Sequence, residues 1–150
     1  MRLINNDQTG FELDIVGYQF PELETEEYDS NWLLIRIIVK HPEGEWQSIA
    51  PSLLTYEAKE LALWLEKIGK KEPVEEEIAF IEPNLSFKSV KNGTYIRIYF
   101  ELESRPSWAA CNWANKMDLW LDVETKNNNL VEAAGNLNGQ LLRYPQRAAV

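Results

Sequence analysis

The chain has very few of the residues on which most catalytic and metal sites depend. Its 150 residues include one cysteine, Cys111, and one histidine, His41. A single cysteine excludes an internal disulfide and is typical of a protein of the reducing cytosol. A single histidine is too few for a multi-histidine metal site. We therefore expect no metal and no cofactor, and we interpret Cys111 as a small buried apolar residue.

Motifs of nucleotide-binding proteins and hydrolases are also absent. The sequence contains no G-x-x-x-x-G-K, G-x-G-x-x-G, G-x-S-x-G or H-E-x-x-H. Paired carboxylates can cleave glycosides, and the candidates are Glu101 with Glu103 and Asp118 with Asp122. Charged residues are, however, ordinary on the outer face of an antiparallel sheet. We therefore predict that the protein is not an enzyme and has no catalytic residue.

Long apolar runs and basic residues are scarce. The longest apolar run, "WLLIRIIV", contains Arg36 and is too short to span a bilayer, and the first ten residues lack the apolar core of a signal peptide. Twenty-four acidic residues against fifteen basic ones give a net charge of −9. Nucleic acid and anionic membranes would be repelled, whereas a basic protein would be attracted. We expect a cytoplasmic protein that binds neither nucleic acid nor a membrane.

Alternation of apolar and polar residues dominates the chain and predicts β-strands. In "LLIRIIVKH", for example, Leu33, Ile35, Ile37 and Val39 fall on one face. Other strand segments are "FELDIVG", "GEWQSI", "EEIAFIE", "LSFKSV", "TYIRIYFELE" and "DLWLDVE". Short turns such as "HPEG" and "KNG" favour antiparallel pairing, since parallel strands need long crossovers.

Two segments have the period of a helix instead. "TYEAKELALWLEKIG" has one apolar stripe, with Thr55 as the expected N-cap, and "NNNLVEAAGNLNGQLLRYP" has asparagine caps and a proline stop. Gly135 and Gly139 destabilise the second helix and make sense if it lies close against a sheet. The prediction is a single α+β domain over residues 1–150, with an antiparallel β-sheet of seven to eight strands packed with two α-helices.

Acidic residues are concentrated in two windows that contain no basic residue. Five lie between Glu22 and Asp29 and five between Glu72 and Glu82, together ten of the twenty-four. If the fold brings these windows together, they form a strongly negative surface that speeds the capture of a basic protein. The alternative is that both are solvated loops that serve solubility.

Aromatic residues on one sheet face provide a second candidate surface. Tyr95 and Tyr99 alternate with apolar residues in one predicted strand, and Trp120 does so in another. Such a face can bind a carbohydrate or another small flat ligand. The alternative is that a helix or a long loop covers these rings.

Several segments together resemble the WapI family of bacterial immunity proteins, which protect a cell against the wall-associated toxin WapA and its relatives. They are "VGYQFPELETEEYDSNWLLI", "PSLLTYEAKELALWLE", "FIEPNLSF", "ESRPSW" with the following Trp113, and "LVEAAGNLNGQLLRYPQR". They occur in the order found in the family and span most of the chain. The "YDSNWL" segment and the final P-x-R are the most specific parts.

This resemblance implies a non-enzymatic protein that binds and neutralises the C-terminal domain, often a nuclease, of a secreted toxin. A nuclease that grips RNA or DNA has a basic cleft, which acidic side chains can meet. We therefore predict that the partner-binding residues are Glu22, Glu24, Glu26, Glu27, Tyr28, Asp29 and Trp32. Binding at an exosite that leaves the toxin's active site uncovered is the alternative.

The same segment also has residues that suit a purely structural role. Asp29, Ser30 and Asn31 are turn formers whose side chains bond nearby backbone, and we expect this role for Asp29 and Asn31. Tyr28 and Trp32 are candidates for anchoring the loop against the sheet. Neither the identity of the toxin nor the oligomeric state follows from the sequence.

Overall fold

The computed structural model describes residues 1–110 and 118–148, apart from the side chains of residues 109 and 110. Cys111 and Trp113 lie outside the described residues. Eight antiparallel strands are described, which confirms the predicted fold class, and they are divided between two four-stranded sheets. The first sheet contains β1 (Arg2–Ile4), β2 (Gly10–Tyr18), β3 (Trp32–His41) and β4 (Gly44–Leu54). The second contains β5 (Glu77–Ile78), β6 (Leu85–Val90), β7 (Tyr95–Phe100) and β8 (Leu119–Glu124).

Two long helices accompany the sheets. The described helices are α1 (Thr55–Gly69), the single turn α2 (Ser107–Ala110) and α3 (Leu130–Arg143), and 3₁₀ turns cover Asp29–Asn31 and Leu102–Ser104. The boundaries of α1 match the predicted ones at both ends. Over the ranges given above, no helix has the length and apolar character needed to cross a membrane.

Both sheets turn their apolar faces towards one shared core. The alternating residues of β3 that were predicted to share a face are all buried. Phe11 of the first sheet lies 6.0 Å from the Phe87 ring and 6.1 Å from the Phe100 ring of the second, between ring centroids. Such contacts between rings stabilise beyond the area that they bury. Aromatic rings thus join the two sheets within a core that is otherwise mostly aliphatic.

Side-chain amides complete the junction where β1 approaches β8. The Asn5 amide donates to Asp122 O at 2.8 Å and accepts from Glu124 N at 2.8 Å, as a neighbouring strand would. Asn128 Oδ1 accepts from Ile4 N at 2.8 Å. Since buried backbone groups must be paired, these amides satisfy the strand edges without extending the sheet.

The N-cap of α1 is not the predicted one, although the helical segment itself is. The N-cap is Leu54, whose side chain has no acceptor, and Thr55 is the first helical residue. The Glu57 carboxylate supplies the acceptor instead, binding Leu54 N at 3.0 Å. The α3 helix begins as predicted, because the Asn129 side chain accepts from Glu132 N at 3.0 Å.

The expected reason for the glycines of α3 is wrong. A Cβ at Gly135 or Gly139 would meet nothing within 4 Å, because both face away from the core. The close approach is at Gly69, the last residue of α1, where a Cβ would lie 3.1 Å from Leu130 Cβ and 3.1 Å from Val131 N. Gly69 therefore allows the end of α1 to pack directly on the start of α3.

The different surroundings of Gly135 and Gly69 predict that substitution by alanine has opposite effects on stability at the two positions. Gly135→Ala should raise the free energy of unfolding by up to about 1 kcal/mol, because alanine favours the helix and nothing obstructs its methyl group. Gly69→Ala should lower it, because the methyl group would press on the backbone of α3. Urea unfolding of both variants measures the two effects. A stabilised Gly69→Ala variant would show that this helix contact is looser than the distances indicate.

Candidate functional site

The loop from residue 19 to residue 31 joins β2 to β3 and carries the first acidic window; we call it the acidic loop. All five of its carboxylate side chains are exposed: Glu22, Glu24, Glu26, Glu27 and Asp29. None forms an ion pair in the part of the chain that the structure describes. Their charge therefore remains available to a partner.

Arg147, from the C-terminal segment, fixes the backbone of the acidic loop. Its Nη1 donates to Pro21 O and Leu23 O, each at 2.6 Å. Its guanidinium carbon lies 3.7 Å from the centre of the Tyr18 ring, in a cation–π contact. The Tyr18 hydroxyl in turn donates to Pro145 O at 2.6 Å. Because Arg147 binds main-chain oxygens, it holds the loop without pairing with a loop carboxylate.

Asn31 fixes the other end of the acidic loop and confirms the structural role expected for it. The side chain is fully buried. Its Oδ1 accepts from Thr55 Oγ1 at 2.9 Å and from Arg147 N at 2.9 Å, and its Nδ2 donates to Glu27 O at 2.8 Å. One amide thus joins the loop, the first turn of α1 and the C-terminal segment.

The structural roles expected for Asp29 and for the Tyr28 ring are not observed. Asp29 begins the 3₁₀ turn, but its side chain is exposed and has no hydrogen bond among the described residues. Tyr28 is 50% exposed, so it does not anchor the loop against the sheet. Trp32 is half-buried at the start of β3. The loop is therefore anchored by Asn31 and Arg147, which leaves the Tyr28 ring open to solvent.

The second acidic window approaches the acidic loop only at its end. Ile81 N donates to Glu57 Oε2 at 2.8 Å, which brings Glu82 beside the first turn of α1. Burial raises the pKa of the Glu57 carboxyl, the Glu60 and Glu82 charges raise it further, and its two N–H donors lower it. Anionic side chains are also favoured at a helix N-terminus.

Tyr56, in the first turn of α1, lies near Tyr28 and Glu27 of the acidic loop. Burial raises the pKa of its hydroxyl, and so do the neighbouring Tyr28, Glu57, Glu27 and Glu60. Ile81, beside Glu57, is 59% exposed. We call this region the helix-end patch; its members are Glu27, Tyr28, Tyr56, Glu60, Ile81 and Glu82. Sequence reasoning named Glu27 and Tyr28 as partner-binding and placed Glu82 in the second acidic window, but it did not single out Tyr56, Glu60 or Ile81.

The remainder of the second window lies elsewhere. This part of the window follows the C-terminal end of α1 and lies beside that helix. There the Trp64 indole donates to Glu75 O at 2.8 Å. Glu76 lies 3.9 Å from Lys88 Nζ, and Glu77 is opposite Lys88 in the β5–β6 pairing. The hypothesis that the two windows form one surface therefore applies to Glu82 and not to these glutamates.

Three of the four carboxylates considered for catalysis are paired with other side chains. Asp122 forms a two-point ion pair with Arg97, at 2.8 Å and 3.0 Å. Glu101 accepts from Arg105 Nη2 at 3.1 Å, and Glu103 from Asn84 Nδ2 at 3.1 Å. No group of three or more potential metal ligands occurs within residues 1–110 and 118–148.

Among the described residues, the aromatic sheet face is partly exposed, and no helix or long loop of residues 1–110 and 118–148 buries it as the alternative reading supposed. Trp120 is 39% exposed, but the Arg97 guanidinium carbon lies 4.8 Å from its ring centre. Lys91 Nζ similarly lies 5.2 Å from the centre of the Tyr95 ring. A sugar would stack on these ring faces, which cations of the same chain already occupy. This weakens the case for carbohydrate binding through Tyr95, Tyr99 and Trp120.

Comparison with known proteins agrees with the resemblance noted in the sequence. The profile of the Immunity protein WapI-like family matches residues 2–145. The chain belongs to this family. A search of curated proteins finds no match. The two most specific segments of the resemblance meet in space, because Asn31 of "YDSNWL" bonds the backbone of Arg147 in the final P-x-R.

Removal of the Arg147 side chain should free the acidic loop. We expect Arg147→Ala to lower the free energy of unfolding by about 1 to 3 kcal/mol, through loss of its charged hydrogen bonds and of the Tyr18 contact. The amides of Ser30 and Asn31 should exchange with solvent faster. Arg143→Ala, at the exposed end of α3, is the matched control. Equal effects of the two variants on loop exchange would show that Arg147 does not hold the loop.

Glu57 should make stability depend on pH in a defined direction. Its folded pKa lies above the ordinary value of 4.5, so the folded state binds the proton more readily than the unfolded chain. This contribution is fully present below the unfolded value and is lost as pH rises through the folded one. The wild type should therefore gain stability relative to Glu57→Gln as pH falls from about 7 to about 4. Urea unfolding checks this, and a constant difference would contradict it.

Proposed function

We propose that this protein is an immunity protein that binds the C-terminal domain of a secreted polymorphic toxin and neutralises it in the cytoplasm without catalysis. The contact surface consists of the acidic loop, Trp32 and the adjoining helix-end patch. The partner is a basic toxin domain, and a nuclease is the class that fits best, because a cleft that grips RNA or DNA is lined by lysine and arginine. Membership of the WapI-like family supports the toxin partner.

The observation that carries this proposal is a set of unpaired charges on a fixed backbone. Five carboxylates of the acidic loop are exposed and form no ion pair within the described residues. Arg147 and Asn31 hold the main chain beneath them. A preformed loop loses less conformational entropy on binding than a mobile one. Solubility alone would not require such fixation.

Exposed apolar and aromatic side chains lie among the carboxylates of the proposed contact surface, where a partner would bury them. Tyr28 and Ile81 are 50% and 59% exposed, and the half-buried Tyr56 lies near Tyr28 and Glu27. Interfaces are typically strongest where aromatic residues are fully buried by the partner and surrounded by a polar rim. A standard interface of about 1,200 to 2,000 Å² has room for these side chains and for the carboxylates around them.

The charge of the surface determines how fast the partner is captured. Complementary charges raise association rates above the neutral value and weaken as salt screens them. The same negative charge repels nucleic acid, so the protein would compete with the toxin's substrate and not bind it. Neutralisation follows either from blocking the basic cleft or from binding beside it at an exosite.

Charge reversal on the acidic loop tests this proposal. Lysine in place of four glutamates should slow association with the toxin domain by about tenfold or more, because attraction becomes repulsion; the positions are Glu22, Glu24, Glu26 and Glu27. Stopped-flow or surface-binding kinetics measure the rate.

The second acidic window provides a control with the same change of net charge. Its four glutamates away from the helix-end patch are replaced by lysine in the same way: Glu72, Glu75, Glu76 and Glu77. We expect a much smaller change in the association rate from this variant. Equal slowing by the two variants would mean that net charge alone matters and that the acidic loop is not the contact.

A further inference from the structure

The edge of the first sheet at β4 has backbone groups without partners. β4 pairs only with β3, and His41 pairs with Gly44 across a two-residue turn. The two residues that flank such a turn form hydrogen bonds with each other across the strand pair. Every second residue beyond them likewise bonds its partner on the opposite strand. In β4 these residues are Gly44, Trp46, Ser48 and Ala50. The N–H and C=O groups of Glu45, Gln47 and Ile49 therefore point away from the sheet; these three residues form what we call the free edge.

The 3₁₀ turn Leu102–Ser104 packs beside β4, where the Trp46 indole donates to Ser104 O, but it does not bond the free edge. No hydrogen bond joins the backbone groups of the free edge to another described residue. All three side chains are exposed, Ile49 by 59%. Pro51, which lacks an N–H, follows in the same alternation and ends the run. The free edge offers three N–H and three C=O groups along about 13 Å.

The other sheet edges are short or occupied. β1 has three residues and β5 has two. At β8, Asn5 bonds Asp122 O and Glu124 N, and the His41 ring lies 2.8 Å from Trp120 O through Nε2. Long unprotected edges invite pairing with other chains, and proteins normally shorten or cover them. Within the described residues, β4 is the long edge strand whose backbone groups are not paired.

We propose that the free edge of β4 pairs with an extended strand of the toxin domain, which would add a fifth strand to the first sheet. This inference rests on the proposed function. A second copy of this chain is disfavoured as the occupant, because each copy carries a net charge of −9. Main-chain hydrogen bonds would supply affinity, and an apolar side chain of the partner strand would contact Ile49.

The free edge and the acidic loop can belong to one interface. β4 ends at Leu54, which pairs with Trp32, the first residue after the acidic loop. Ile49 lies five residues from Leu54, about 17 Å along the strand. A partner of ordinary size spans this distance. The acidic loop would then accelerate the encounter, and the free edge would slow dissociation.

Substitution of Gln47 by proline or by alanine separates the contribution of the backbone N–H to binding from that of the side chain. Gln47→Pro removes an N–H that points to solvent and requires an extended Trp46, which it already is, so the fold should survive. It should weaken binding of the toxin domain by about tenfold or more, through the lost hydrogen bond and the proline ring. Gln47→Ala keeps the N–H and should bind within about twofold of the wild type. Titration calorimetry measures both.

Amide exchange tests the same pairing without a variant. In the free protein, the Gln47 and Ile49 amides should exchange fast and the Trp46 and Ser48 amides slowly. In the complex, Gln47 and Ile49 should become protected as well. If the toxin domain binds but these two amides still exchange freely, the free-edge inference is overturned while the proposed function stands. Failure of the wild type to bind overturns both, and protection in a free dimer identifies a second copy as the occupant and overturns the inference.

Discussion

The acidic loop is both charged and fixed because Arg147 binds its main-chain oxygens and not its carboxylates. A guanidinium paired with Glu22 or Glu24 would have cancelled the charge that it holds in place. Asn31 complements this contact with one buried amide that joins the loop, α1 and the C-terminal segment. The geometry of the proposed interface depends on these two residues.

The rest of the fold positions the acidic loop and the residues beside it. β2 and β3 define the ends of the loop, α1 places Glu60 and Tyr56 beside it, and Glu57 ties the second acidic window to the start of α1. The two sheets share one core, in which aromatic rings of both sheets are in contact. Electrostatic attraction at the loop and backbone pairing at β4 are different interactions, and they would act at different stages of binding.

Much of this fold could be predicted from the sequence. Alternation is a local signal, so the buried face of β3 and both boundaries of α1 were predicted correctly. The division into two sheets was not, because it depends on which distant strands pair. The glycines of α3 were misinterpreted for a similar reason, since only the structure reveals that Gly69 is the one in close contact.

The candidate site was predictable in part. The loop carboxylates are visible as a run of like charge, and Asn31 as a turn former. The role of Arg147 was not visible, because its partners are backbone carbonyls, which every residue has. Ile81 and Glu82 join the surface through the hydrogen bond between Glu57 and Ile81, which has no counterpart in the linear pattern.

The most direct test of the central claim is the association rate of the unmodified protein with its toxin domain, measured as a function of ionic strength. Attraction between an acidic surface and a basic domain predicts a steep fall in this rate between about 0.05 and 0.5 M salt, since the screening length shortens over that range. A rate that does not change with salt would contradict the account, because capture would then owe nothing to the charges of the acidic loop.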